Sequence, residues 1–198
     1  MSWYKIAPEV TFESYKKCVK PIYQCLSKPV PKHDTDPFVN SVVCAVTNIK
    51  HMEVYVQAHK MITMKMGDFH ESIAGSIDGY RKLPIGNPSG CDIEKEDLTE
   101  VFELKNRANT MNSSSASSVI DKLIKAHNEG KKAHLVLINC EGSVPRFKAP
   151  DYIEVWNGRK FYTHITGSET FFDRLEETLR YTMENFKTFE EIEPPQSP

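Results

Sequence analysis

The tetrapeptide Leu135-Val136-Leu137-Ile138, inside the stretch from Ala133 to Cys140, is a continuous apolar run of strand length. A strand half exposed to water alternates apolar and polar residues. A run without alternation suits the central strand of a sheet covered on both faces. The chain must therefore provide two layers to cover that sheet, which restricts it to α/β or α+β architectures.

The remaining patterns supply such layers. Phe12, Tyr15, Val19, Ile22 and Leu26 recur at helical spacing between Thr11 and Ser27, with Pro21 placed to bend or split the element. Asp36-Pro37 reads as an N-cap with proline at the first helical position, followed by the stripe Phe38, Val42, Ala45, Val46 and Ile49. Residues 52–77 are helical in pattern, and Gly67 and Gly75 leave one long helix or two shorter ones open. Pro84, Gly86, Pro88 and Gly90 make 80–90 a loop. Beyond it, 91–95 and 99–105 read as a β-hairpin turning at Glu96-Asp97. Polar residues 106–118 lead to a helix carrying Val119, Leu123, Ile124 and Ala126, with a stop at Gly130. Asn157-Gly158, between 152–156 and 160–165, predicts a second hairpin. An amphipathic helix over 169–189 carries Phe171, Phe172, Leu175, Leu179, Met183 and Phe186 on its buried side.

These elements predict an α/β (α+β) fold with a mixed central sheet flanked by helices. At 198 residues the chain suits one domain over 1–198: a mainly helical part at 1–80, a sheet core at 81–189, and an acidic, proline-rich flexible tail at 190–198. Charged residues make up 26% of it, and no apolar run reaches the roughly 18–20 residues that span a bilayer, which predicts a soluble protein without membrane contact. The first residues lack the pattern of a secretory signal, and the five cysteines are odd in number and never spaced Cys-x-x-Cys. Free thiols in the reducing cytoplasm are expected. A net charge of −2 carries no electrostatic footprint for coating a polyanion, yet it leaves room for an enzyme that gathers carboxylates around a metal. His51, His59 and His70 lack metal-ligand spacing and are expected to be structural or surface residues.

The chemistry concentrates in Gly90-Cys91-Asp92-Ile93 and, after the turn, Val101-Phe102-Glu103-Leu104-Lys105-Asn106. Period-two alternation puts Glu103 and Lys105 on one strand face, and an adjacent strand starting at Asp92 brings a second carboxylate beside them. Two carboxylates so placed repel unless a cation joins them, and the Leu104 carbonyl between Glu103 and Lys105 offers a further oxygen. In this reading Asp92 and Glu103 hold a divalent metal, while Lys105 orients or deprotonates an attacking water and neutralises charge at phosphorus. Taken alone, Glu-x-Lys on a strand is also what a solvated cross-strand pair looks like.

An acidic residue, a turn and Glu-x-Lys on a hairpin resemble the PD-(D/E)XK nuclease superfamily, although Cys91 rather than proline precedes Asp92. The longer run from Phe102 to Ser115, containing Glu-Leu-Lys-Asn-Arg-Ala-Asn-Thr-Met-Asn-Ser-Ser-Ser, resembles a group of type II restriction endonucleases that cut short GC-rich palindromes such as GG-W-CC. The stretch from Phe69 to Tyr80 resembles that group's helix, with Glu71 near the active site. The similar stretches span about 67–140.

The resemblance implies a restriction-endonuclease-like core and Mg2+-dependent hydrolysis of double-stranded DNA to 5'-phosphate and 3'-hydroxyl ends, with Mn2+ able to substitute. It also implies a homodimer and a companion DNA methyltransferase acting on the same site. Asp92, Glu103, Lys105 and Glu71 become the expected catalytic set, with Asp92, Glu103 and Leu104 at the metal. Asn106, Arg107, Asn109, Thr110, Asn112, Ser113, Ser114 and Ser115 carry donors and acceptors suited to DNA, as do Arg81 and Lys82 upstream. A structure- or damage-directed repair nuclease and a non-catalytic DNA-binding module are the alternatives.

Overall fold

The computed structural model describes residues 2–27, 52–106, 113–140 and 149–195. Its five strands are β1 (Tyr80–Lys82), β2 (Ile93–Lys95), β3 (Glu100–Lys105), β4 (Lys132–Leu137) and β5 (Glu154–Asn157). They form one sheet in the order β1-β2-β3-β4-β5. The pairs β1–β2 and β2–β3 are antiparallel, whereas β3–β4 and β4–β5 are parallel, so the sheet is mixed. Five helices flank it among the described residues: α1 (Phe12–Leu26), α2 (Met52–Ala74), α3 (Ser113–Asn128), α4 (Gly158–Thr166) and α5 (Phe171–Asn185).

The apolar run forms β4 and the residue after it, and it is covered on both faces as expected. Leu135 and Leu137 pack with Val101 of β3 and with Val119, Leu123 and Ala126 of α3. Val136 and Ile138 point the other way, into a core built with α1, α2, α4, α5, Phe102 and Trp156. The middle position nevertheless belongs to β3. Residues 80–82, expected to be loop, add β1 at the far edge, where Tyr80 pairs with Lys95 and Lys82 with Ile93.

Residues 52–74 form a single helix that passes through Gly67 and ends at Gly75. A Cβ at Gly75 would lie 2.5 Å from the Lys82 backbone nitrogen, so only glycine lets the end of α2 approach β1 this closely. α1 likewise stays continuous despite Pro21. The helix expected to begin at Pro37 lies outside the described residues.

The second hairpin is not formed. β5 is followed directly by α4, and Asn157 is its N-cap, accepting a 2.8 Å hydrogen bond from Lys160 N–H. An Asn-Gly pair serves a two-residue turn or a helix start equally well. Here the burial of Phe161, Tyr162 and Ile165, spaced as on a helix face, decides for the helix. Within the segment expected to be a flexible tail, Ile192 is fully buried and its carbonyl accepts from Lys16 Nζ at 2.6 Å. No helix among the described residues is long and apolar enough to cross a membrane. Cys18, Cys25, Cys91 and Cys140 are free thiols.

Candidate active site

The hairpin of β2 and β3 forms as the alternating pattern requires, with Ile93 opposite Phe102. Leu98 turns the chain with φ 65°, and Asp97 accepts from Thr99 N–H. Alternation along β3 sends Phe102 and Leu104 into the core beneath α1 and α2, and Val101 to the α3 side. Glu103 and Lys105 share the Val101 face by the same period.

Three groups meet at this end of the hairpin. Asp92 Oδ2 accepts a 2.7 Å hydrogen bond from Leu104 N–H, standing in for a strand carbonyl just past the paired residues. Lys105 Nζ donates to Glu103 Oε1 at 2.6 Å and to the Leu104 carbonyl at 3.1 Å. Glu103 is 1% exposed, and its second oxygen, Oε2, is buried with no hydrogen-bond partner among the described residues. Burial and the charge of Glu103 push the Asp92 carboxyl up to about 6. Burial pulls the Lys105 amine down, but the charges of Glu103, Asp92 and Glu71 outweigh it and leave its pKa raised. Lys105 is therefore an ammonium here.

Among the described residues no group of three His, Cys, Asp or Glu side chains is arranged to hold a metal. The donors at hand are two carboxylates and a carbonyl, all hard oxygens, which is the chemistry a small divalent cation takes. Glu103 Oε2 is left without a donor, and the Lys105 ammonium rests on Glu103 Oε1 and Leu104 O as a positive charge between two oxygens. This set fits a divalent metal if Lys105 yields the Leu104 carbonyl.

The model of the Eco47II restriction endonuclease family matches residues 13–187, most of the chain. The chain belongs to this family. Type II restriction enzyme Sau96I of Staphylococcus aureus is 26% identical to it over 199 residues, covering 84% of this chain and 75% of that protein. No solved structure matches. As a type II restriction endonuclease the protein is an enzyme whose substrate is DNA.

The Eco47II-family chain brings together Asp92, Glu103, Lys105 and the Leu104 backbone. Glu71, in the last turn of α2, is close enough for its charge to act on Asp92 and Lys105, but its carboxylate is paired with Lys82 Nζ at 2.8 Å. Arg81 lies on the sheet edge, its guanidinium on Glu94 at 2.6 Å, where Lys131 also binds at 2.7 Å. Asn106 donates to the Thr63 carbonyl and accepts from Asn139 Nδ2 across the ends of β3 and β4. Arg107, Asn109, Thr110 and Asn112 lie outside the described residues, and Ser113, Ser114 and Ser115 open α3.

A cavity of about 810 Å³ lies behind this edge, lined by His70, Asn139, Asn157 and Arg159 among others. Asp92 and Glu103 are not among its lining residues. His70 has the structural role expected of it, its Nδ1 3.0 Å from the Tyr162 hydroxyl.

Two groups were missed at the sequence level. Lys122 of α3 reaches Glu103 Oε1 at 3.4 Å. Its signal is a charge at an i+3 position inside the stripe Val119, Leu123, Ala126. Glu100, buried in β3, accepts from His134 at 2.8 Å and from His164 at 2.9 Å. These histidines come from a strand and a helix 30 residues apart in number, and no local spacing announces them.

Proposed function

We propose that this restriction endonuclease hydrolyses both strands of double-stranded DNA at a short GC-rich palindrome, in the manner of the PD-(D/E)XK nucleases, with Mg2+ as cofactor. The observation that carries the reading is Glu103 Oε2, buried and unpartnered beside a carboxylate raised to about 6. Asp92, Glu103 and the Leu104 carbonyl would hold the cation. Once bound there, magnesium supplies positive charge to the scissile phosphate, with Mn2+ able to substitute.

The protein's own residues do the remaining work. Glu103, fixed in the middle strand, and Asp92, tied to Leu104 N–H, define where the phosphate lies. Lys105, as an ammonium, orients the attacking water and neutralises charge developing on the phosphoryl oxygens. Glu71 tunes this centre through its charge, and Lys82 and Arg81, on leaving Glu71 and Glu94, would supply cations to the backbone of the duplex. The side chains from Asn106 to Ser115 read base edges and phosphates, and the α3 N-terminus adds backbone N–H groups for a phosphate. The products are a 5'-phosphate and a 3'-hydroxyl.

Symmetric cutting of a palindrome is met by a two-fold homodimer, and protection of the host genome by a companion methyltransferase acting on the same site. The test is digestion of unmethylated phage DNA with Mg2+, followed by sequencing of the fragment ends. Discrete ends at one palindrome, lost on chelation with EDTA, are expected. Random nicking, or full activity in excess EDTA, would overturn the reading.

A further inference from the structure

The proposed site contains a conflict between two positive charges. The Lys105 ammonium sits on Glu103 Oε1 and Leu104 O, and a divalent cation would use that carbonyl together with the unpartnered Oε2, so Lys105 must withdraw when the cation and DNA arrive. Its departure would leave Glu103 Oε1 bare in a residue that is 1% exposed and held to the cation through its other oxygen alone. A buried carboxylate oxygen left without a partner is costly, and a group held through one oxygen can turn about that contact.

The same oxygen faces a second lysine. Lys122 Nζ is 3.4 Å from Glu103 Oε1, at the long end of a hydrogen bond. Its stem is guided. Gly90 has φ +67°, and a Cβ there would lie 3.2–3.4 Å from Cδ, Cε and Cγ of Lys122, so the missing side chain forms the channel along which the lysine runs. Gly90 closes the turn that delivers Asp92, with its N–H donating to the Asn87 carbonyl at 3.0 Å. Lys125, one turn further along α3, anchors the helix to that turn by donating to the Pro88 carbonyl at 2.9 Å. The turn carrying Asp92 and the helix carrying Lys122 are thus held to each other.

We propose that Lys122 is a positioning residue for cleavage: it takes over Glu103 Oε1 when Lys105 leaves, keeping the carboxylate in place while Lys105 serves the attacking water. The inference rests on the site assignment proposed above, and its test separates the two.

Thermal unfolding is measured without metal for the parent, Lys105→Met, Lys122→Met and the double variant. If each lysine can replace the other on Glu103, each single change lowers Tm by only a few degrees, because the remaining ammonium keeps the buried carboxylate paired. The double change lowers it by well over the sum, or prevents folding while both single variants fold. An additive effect overturns the inference.

Single-turnover cleavage and DNA affinity are measured in parallel. Lys122→Met is expected to slow cleavage by about 10-fold or more with DNA affinity within about twofold of the parent, and Lys122→Arg to restore most of the rate. Unchanged cleavage, or weakened DNA binding with an unchanged rate, would make Lys122 a bystander or a phosphate contact and overturn the inference. Neither result touches the site assignment, which Lys105→Met tests separately: cleavage as fast as the parent's would overturn it.

Discussion

Asp92 Oδ2 and the Leu104 N–H are joined by a 2.7 Å hydrogen bond at the point where β2 and β3 stop pairing. The carboxylate completes the strand edge that Leu104, 6% exposed, would otherwise leave unsatisfied. One side chain therefore closes the hairpin and, in the proposed site, would also hold the cation.

Substitution separates those roles. Asp92→Ala removes the acceptor of a buried N–H and should cost about 1–3 kcal/mol of stability as well as abolishing cleavage. Asp92→Asn keeps an acceptor oxygen, so it should stay near parental stability in urea denaturation and still fail to cut plasmid DNA. An active Asn variant would remove Asp92 from the metal site.

Lys105→Ala should lower the cleavage rate by a factor of roughly 100–1,000 while DNA binding, followed by fluorescence anisotropy with Ca2+ in place of Mg2+, largely survives. A rate within a few-fold of the parent would mean that the Glu103–Lys105 pair is structural.

Two buried groups predict separate losses of stability in acid. Burial holds His70 down at about 4, below its ordinary 6.5, so the unfolded chain takes up a proton that the native chain refuses. Its contribution is full above pH 6.5 and is lost as pH falls toward 4. For Glu100, burial acts upward, but hydrogen bonds from His134 and His164 outweigh it and hold the carboxyl at about 2. That stability is full above the ordinary 4.5 and is lost as pH falls from there toward 2. Urea midpoints between pH 7 and 3 should show the upper loss flattened in His70→Gln and the lower one in Glu100→Gln. Curves parallel to the parent's would contradict the assignment.

Asn157→Ala should cost about 1 kcal/mol, since it leaves Lys160 N–H at the start of α4 uncapped. Asn157→Asp should restore most of that loss. If the Ala variant is as stable as the parent in urea, the cap contributes nothing.

What the sequence by itself determined was whatever depends on the order of neighbouring residues. Leu135 to Ile138 read as a strand covered on both faces because burial leaves no need for alternation. Glu103 and Lys105 read as sharing a face because a strand repeats every two residues, and the hairpin followed from the turn at Glu96-Asp97. The tertiary structure decided what depends on competition between distant groups. Asn157-Gly158 suits a hairpin or a helix start, and only the burial of Phe161, Tyr162 and Ile165 against the sheet settled it. Residues 80–82 carry too short a signal to read as a strand, and pairing with Ile93–Lys95 made them one. Glu71 is tied to Lys82, and Lys122 and Lys105 meet on one oxygen of Glu103, because α2, α3 and the sheet edge converge there. Side chains from separate elements meet through packing, and no local spacing records that meeting.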